Sequence, residues 1–232
     1  MNTSLLAEQF KSNCLAAQAL RKRFDSHRVI VASVVGPAGS GKTSMIEALL
    51  LRLDPNVRAA VIIANLGADR QTRRITQHGF AAVAIQTDKL TAELVGESLS
   101  QFDLRALDLL LIESHGNNLS PVEFDLGHRL RIGVFSAAGG HDKLVEYPFM
   151  VCESDLLVLT KCDLLPLVSF DFDVFNDDIA RLKPGLELIR TSIRRNEGID
   201  TLLKWLEFHA PLRNRASSTP TLFHPFTNWF QE

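Results

Sequence analysis

Cysteine is scarce in this chain: Cys14, Cys152 and Cys162 stand alone among 232 residues, odd in number and far apart, which excludes a disulfide framework and a CxxC metal pair. Positive charge is not in excess either. With 25 Lys and Arg against 27 Asp and Glu, the formal net charge is −2, and the broad cationic footprint of a general nucleic-acid binder is missing. No apolar run approaches the length that crosses a bilayer, and the first residues lack the apolar stretch of a secretory leader. The expectation is therefore a cytoplasmic protein in a reducing compartment, with no nucleic-acid and no membrane partner. Internal repeats and low-complexity blocks are absent as well, which excludes solenoids and arrays.

What is present is an ordinary globular balance, 46% hydrophobic and 22% charged, in a chain long enough for one well-buried α/β domain. Residues 5–24 carry Leu5, Leu6, Ala16, Ala19, Leu20 and Phe24 among polar positions, the pattern of an amphipathic helix. Apolar, β-branched runs at Val29–Val35, Val57–Ala64, Ala81–Ile85, Leu107–Ile112, Arg131–Phe135, Asp155–Thr160 and Leu186–Ile189 predict strands. Helical patterns fall between them at Ser44–Leu51 and Lys89–Leu99, with a last one at Ile199–Phe208. Near-continuous apolar strands are what a parallel sheet buried on both faces requires, so the expected fold is a doubly wound, mostly parallel α/β sheet. Residues 1–212 read as a single domain, and 213–232 as a tail. Its aromatic end, Leu222 to Phe230, suits either a docking peptide or a segment folded back on the domain. The basic clusters Arg21-Lys22-Arg23 and Arg70, Arg73, Arg74 read as solvated helix faces.

The most specific stretch is Gly36-Pro37-Ala38-Gly39-Ser40-Gly41-Lys42-Thr43, which fills the GxxxxGKS/T pattern between a predicted strand and a predicted helix. That context makes it a P-loop. Glycines let successive backbone N–H groups turn toward a polyphosphate, so Gly36, Ala38, Gly39, Ser40, Gly41 and Ser44 are candidate phosphate-binding positions. Lys42 would reach the β- and γ-phosphates and Thr43 would ligate Mg2+. The dipole of the following helix favours the same anion.

Two further segments complete a nucleotide site. Leu109-Leu110-Leu111-Ile112-Glu113 is an apolar strand ending in a carboxylate, placed where the acid that holds Mg2+ or its waters belongs. Gly116, three residues on, would let the backbone approach a γ-phosphate. Thr160-Lys161-Cys162-Asp163 fits the N/T-K-x-D guanine signature: one carboxylate accepts from the guanine N1–H and exocyclic amine together, a donor pair that adenine lacks. The Lys161 stem would lie over the base, and a backbone N–H in Thr191-Ser192-Ile193 would reach the guanine O6. A small-molecule kinase is disfavoured, since no Arg-rich lid is present.

With those motifs in order, the chain resembles the HypB family of hydrogenase-maturation nickel GTPases, and more distantly the urease accessory GTPases UreG. Ile112 through Pro121 resembles the family's IENVGNLVCP, Phe124-Asp125-Leu126-Gly127 its FDLG, Asp142 through Pro148 its DKPLKYP, and Glu197-Gly198-Ile199-Asp200 its EGLD. The resemblance implies a GTPase with GTP and Mg2+ as cofactors, a GTP-dependent homodimer, and metalloenzyme precursors or other maturation factors as partners. It implies a catalytic set of Lys42, Glu113, Gly116 and Lys143, the last reaching the partner subunit's γ-phosphate. It also implies nickel or zinc, yet Asp88-Lys89 replaces the family's Cys-His pair and Ser120 its Cys. The soft thiolate and imidazole donors are gone from those positions. The CxxCGC motif and His-rich tract of many relatives are absent too. Asn65 and Ala68 replace the family's switch Asp and Thr, with Asp69 a neighbouring carboxylate. A second reading follows, a metal-free, nucleotide-gated binding module that regulates assembly of a partner.

Overall fold

The computed structural model describes residues 3–115 and 125–210, apart from the side chains of 3–7 and 115. Seven strands form one sheet among the described residues: β1 (Ile30–Gly36), β2 (Ala59–Ala64), β3 (Ala81–Ile85), β4 (Leu109–His115), β5 (Leu130–Ser136), β6 (Leu156–Thr160) and β7 (Glu187–Arg190). Their order across the sheet is β3-β2-β4-β1-β5-β6-β7. Every pairing is parallel.

Such a sheet needs cover on both faces, and the strand side chains alternate accordingly. From β4, Leu109 and Leu111 pack with Val34 and Val61 under α2 (Lys42–Leu50), α3 (Ala68–Thr76) and α8 (Ile199–His209). Leu110 and Ile112, one residue out of phase, pack with Ile62 under α1 (Thr3–His27) and α4 (Ala92–Ser98). A third apolar cluster joins Phe135 and Leu159 to α5 (Lys143–Glu146), α6 (Pro148–Glu153) and α7 (Phe172–Leu182). Each fully buried Leu or Ile here contributes about 2 kcal/mol from its apolar surface.

The helices differ from the sequence expectation in instructive ways. α1 turns Asn13, Ala17, Leu20 and Phe24 inward, whereas Ala19 is exposed, so the buried stripe lies one residue from where the alanines suggested. Asn13 can face inward because its amide is fully used: Nδ2 donates to Asp125 O at 2.8 Å and Oδ1 accepts from the Ala92 N–H at 2.8 Å. α2 starts at Lys42, two residues early, because Gly41 at φ 91° swings the chain directly into the helix. α4 starts at Ala92, where the Thr91 hydroxyl accepts from the Leu94 N–H and caps it. Helices α3, α5, α6 and α7 are additional to those the sequence pattern predicts, although α7 carries Phe172, Phe175, Ile179 and Leu182 at helical spacing. α7 is capped by Asp171, which accepts from the N–H groups of Asp173 and Val174.

Between β1 and its neighbours β4 and β5 the winding of the sheet reverses, and the carboxyl ends of these strands open a crevice of the kind in which α/β proteins bind ligands. Gly36 pairs with His115 at that edge, and Glu113 pairs with Val34 and Ile63 just below it.

Candidate nucleotide site

The loop from β1 to α2 is shaped by contacts that tolerate no bulk. A Cβ on Gly36 would lie 2.2 Å from the Val134 carbonyl and 2.8 Å from Ser40 Oγ, so only glycine fits where the strand hands over to the loop. Ala38 and Gly39 form its exposed crest, and Gly39 takes φ 74° with open space around it. Ser40 is buried, with its hydroxyl unpartnered among the described residues, and its carbonyl accepts from Thr160 Oγ1 at 2.5 Å. Lys42 folds back, its Nζ donating to the carbonyls of Gly36 at 2.8 Å and Pro37 at 3.0 Å. The loop thus wraps round its own lysine, with the ammonium held against two of its carbonyls.

Behind it lies the carboxylate. Thr43 Oγ1 donates to Glu113 Oε1 at 2.8 Å, across the start of α2 and the end of β4. Glu113 is 1% exposed, and its Oε2 has no hydrogen-bond partner among the described residues. Burial pushes its carboxyl above the ordinary value, against the opposing pull of the Lys42 ammonium, the Thr43 hydrogen bond and the Arg74 guanidinium. A buried carboxylate with an idle oxygen beside a hydroxyl is a hard-oxygen donor set suited to Mg2+, and the fit to a Mg2+-nucleotide is good. Thr43 and Glu113 would hold the ion or its waters, and the ion would supply charge to the phosphates.

The segment expected to select the base sits on the far side of the loop. Lys161, at φ 57°, stretches its Nζ to the Gly39 carbonyl at 2.7 Å, tying the end of β6 to the P-loop. Asp163 accepts from Ser192 Oγ at 2.7 Å, and that hydrogen bond holds its carboxyl below the ordinary value. The Ser192 hydroxyl, not its backbone, is therefore the group that engages this segment. The Thr191 N–H goes to Leu159 O and the Ser192 N–H to Glu197 O, so a backbone donor toward guanine O6 falls to Ile193. Sequence reading missed the hydroxyl's role, because a serine after a strand carries no signal until β6 and β7 are known to be neighbours.

Other expected residues are placed as follows. Lys143 opens α5 with its Nζ on both carboxylate oxygens of Glu146 at 2.7 Å, an intrachain pairing that the sequence reading did not foresee. Gly116, Ser120 and the tail at 213–232 lie outside the described residues. Asn65 is buried and fully engaged, its Oδ1 accepting from the Gly67 N–H at 2.7 Å and its Nδ2 donating to Gln71 at 2.5 Å. It braces the β2–α3 turn, while Asp69 is exposed on the first turn of α3. The basic clusters are only half solvated: Arg70 and Arg73 are exposed, but Arg74 is turned onto α2, and Arg21 makes a bidentate pair with Asp125 at 2.8 Å. Among the described residues no group of three His, Cys, Asp or Glu is placed to hold a metal ion, and none of their helices is long and apolar enough to cross a membrane.

This arrangement has clear counterparts. Residues 30–190 match the family model of the CobW/HypB/UreG nucleotide-binding domain. The chain is 35% identical over 200 residues to a probable hydrogenase maturation factor HypB of Methanocaldococcus jannaschii, covering 85% of this chain and 90% of that one. Among solved structures it superposes on the HypB of Archaeoglobus fulgidus with a TM-score of 0.78 at 27% identity, covering 85% of this chain and 98% of the other. It superposes equally on the HypB of Helicobacter pylori, solved in complex with nickel, with a TM-score of 0.78 at 24% identity over 89% of this chain and all of that one, a likeness of fold.

Proposed function

The chain belongs to the CobW/HypB/UreG nucleotide-binding family, and from that footing we propose that it is a GTP-binding protein and a slow, Mg2+-dependent GTPase acting in maturation of a metalloenzyme, the nickel site of a hydrogenase being the client class that its relatives' names suggest. The observation that carries the reading is the convergence of three hydrogen-bonded pairs at the carboxyl ends of the strands: Lys42 on the Gly36 carbonyl within the loop, and two sequence-distant pairs, Thr43 on Glu113 and Ser192 on Asp163. They supply in turn a phosphate grip, a cation site and a purine selector.

In hydrolysis a water oxygen attacks the γ-phosphorus, the bond to the β,γ-bridging oxygen breaks, and GDP departs with the electron pair. P-loop amides and Lys42 would oppose the charge gathering on the β- and γ-oxygens, and the Gly116 amide is a further candidate donor there. Bound Mg2+ would supply electrostatic stabilisation of the same charge. Slow turnover is supported by Asn65, whose amide is engaged by Gly67 and Gln71 and has no ionisable group with which to deprotonate water. We further propose a single domain over residues 1–212 with 213–232 as an appended tail, a cytoplasmic setting, and a GTP-dependent homodimer. In that dimer Lys143 would exchange Glu146 for the partner subunit's γ-phosphate. Phosphate release from GTP and ATP by the wild type and Lys42→Ala tests the proposal; it fails if no GTP-specific release appears.

A metal-free, nucleotide-gated module is favoured by one local feature. Thr87 closes the loop after β3 on Lys89, donating to its carbonyl at 2.9 Å and accepting its N–H at 3.0 Å, so a tight turn carrying Asp88 and a lysine occupies the place of the family's soft ligands. Equilibrium dialysis with Ni2+ and Zn2+ in the GDP and GTP states separates the readings; tight stoichiometric binding by the chain contradicts the metal-free version.

A further inference from the structure

α3 sends one side chain back toward the nucleotide site. Arg74 Nη2 donates to Ser44 Oγ at 3.2 Å and to Glu47 Oε2, while the other Glu47 oxygen meets His78 Nε2 at 2.7 Å. One guanidinium nitrogen carries two protons and so serves both acceptors at once. Ser44 immediately follows Lys42 and Thr43 in the first turn of α2, where helix N–H groups point at the phosphates. Its hydroxyl oxygen already accepts from Arg74, which leaves its own proton for an acceptor on the ligand side. A hydroxyl that accepts from a cation is a stronger donor than one that does not. Glu47, gripped by two groups of the α3 end, keeps the guanidinium in place.

We infer that Arg74 is a positioning residue of the nucleotide site, acting through Ser44 on the α- and β-phosphates, and this rests on the nucleotide reading above. The chemistry is a relay of fixed dipoles, from guanidinium to hydroxyl to phosphate oxygen, with no proton transferred. The same cation is close enough to act on Glu113, consistent with its lying over this end of the site. Because α3 follows directly on the turn braced by Asn65, the relay also ties that turn to the bound phosphates. A half-exposed ion pair such as Arg74–Glu47 contributes little to folding. Loss of Arg74 should therefore be felt in binding more than in stability.

The test is calorimetric titration of the full chain with GDP and a non-hydrolysable GTP analogue in Mg2+, for wild type, Arg74→Gln, Arg74→Lys, Ser44→Ala and the Ser44→Ala/Arg74→Gln double variant. Arg74→Gln should weaken both nucleotides about tenfold, Arg74→Lys about threefold, and melting should shift by no more than about 3 °C. On the Ser44→Ala background the Arg74→Gln effect should shrink below about twofold. If Arg74→Gln does not fold, Arg74→Lys carries the same cycle, with a loss alone and none on Ser44→Ala as the supporting result. An unchanged affinity in the Arg74 variants overturns the inference while leaving nucleotide binding intact. So does a loss undiminished without the Ser44 hydroxyl, or one confined to the GTP analogue. A wild type that binds neither nucleotide removes the functional reading together with this one, and is recognised before any variant is compared.

Discussion

The Thr43 hydroxyl lies 2.8 Å from Glu113 Oε1 and spends its proton there, so two candidate Mg2+ ligands seventy residues apart in sequence meet in one buried hydrogen bond. Only one carboxylate oxygen is used, and burial raises the carboxyl's pKa, so the ionised form is under-solvated until a cation arrives. Glu113→Gln is expected to leave the nucleotide-free protein as stable as the wild type or about 1 kcal/mol more so. The same variant should lose the gain in GDP affinity that Mg2+ gives the wild type. Thermal melting and titration with and without Mg2+ check both; an undiminished Mg2+ effect contradicts the assignment.

Asp163 depends on Ser192 for its orientation, and an aspartate accepts where guanine donates. Asp163→Asn replaces one acceptor oxygen by a donor and is expected to cost ten- to a hundredfold in GDP affinity, by the loss of a charge-assisted hydrogen bond of about 1.5–3 kcal/mol. Xanthosine diphosphate presents a carbonyl where guanine has its amine, so the variant should bind it better than the wild type does. Competition binding of the two nucleotides reads the switch directly.

Gly36 has no room for a methyl group, with the Val134 carbonyl 2.2 Å from where Cβ would stand. That carbonyl is backbone of β5, the strand paired with β1, so relief requires β1 and β5 to part. Gly36→Ala should cost about 3 kcal/mol or more, or prevent folding. Gly39→Ala faces open space and should cost only the strain of its positive φ, about 1 kcal/mol. Denaturant midpoints of the two variants give the contrast.

His128 supplies the pH dependence. Its Nε2 accepts from Arg131 Nε at 3.3 Å and its Nδ1 is sealed without a partner among the described residues. Burial first, and then the Arg131 guanidinium, push its pKa from 6.5 down to about 4, with Asp125 pulling the other way and Arg21 adding to the depression. The unfolded chain therefore takes up a proton below pH 6.5 that the folded chain refuses until about 4. Stability should fall as pH drops through that window, by at most about 3 kcal/mol, and the loss is complete below the folded value. His128→Gln should flatten that part of the curve; an unchanged slope in the variant contradicts this account of His128.

The sheet and the phosphate loop were legible because each leaves a local imprint. β4 is buried on both faces, so Leu109 through Ile112 had to be apolar without alternation, and Gly36 through Thr43 carries its spacing in eight consecutive residues. The base site was half legible: Asp163 stands in a motif, but the Ser192 hydroxyl works only through strand adjacency, which no local pattern encodes. Arg74 read as a solvated charge because helical spacing does not say which neighbour a face meets. Asn65 read as a lost charge, whereas in the fold it is a brace for the turn into α3.

Purine choice decides the account most directly. Calorimetric titration of the full chain with GDP and ADP in Mg2+ should give a preference for GDP of about a hundredfold, the size expected when a carboxylate acceptor meets a base lacking the matching donors. Equal affinities, or no binding of either, would contradict the assignment of Asp163 and Lys42 to one guanine-nucleotide site.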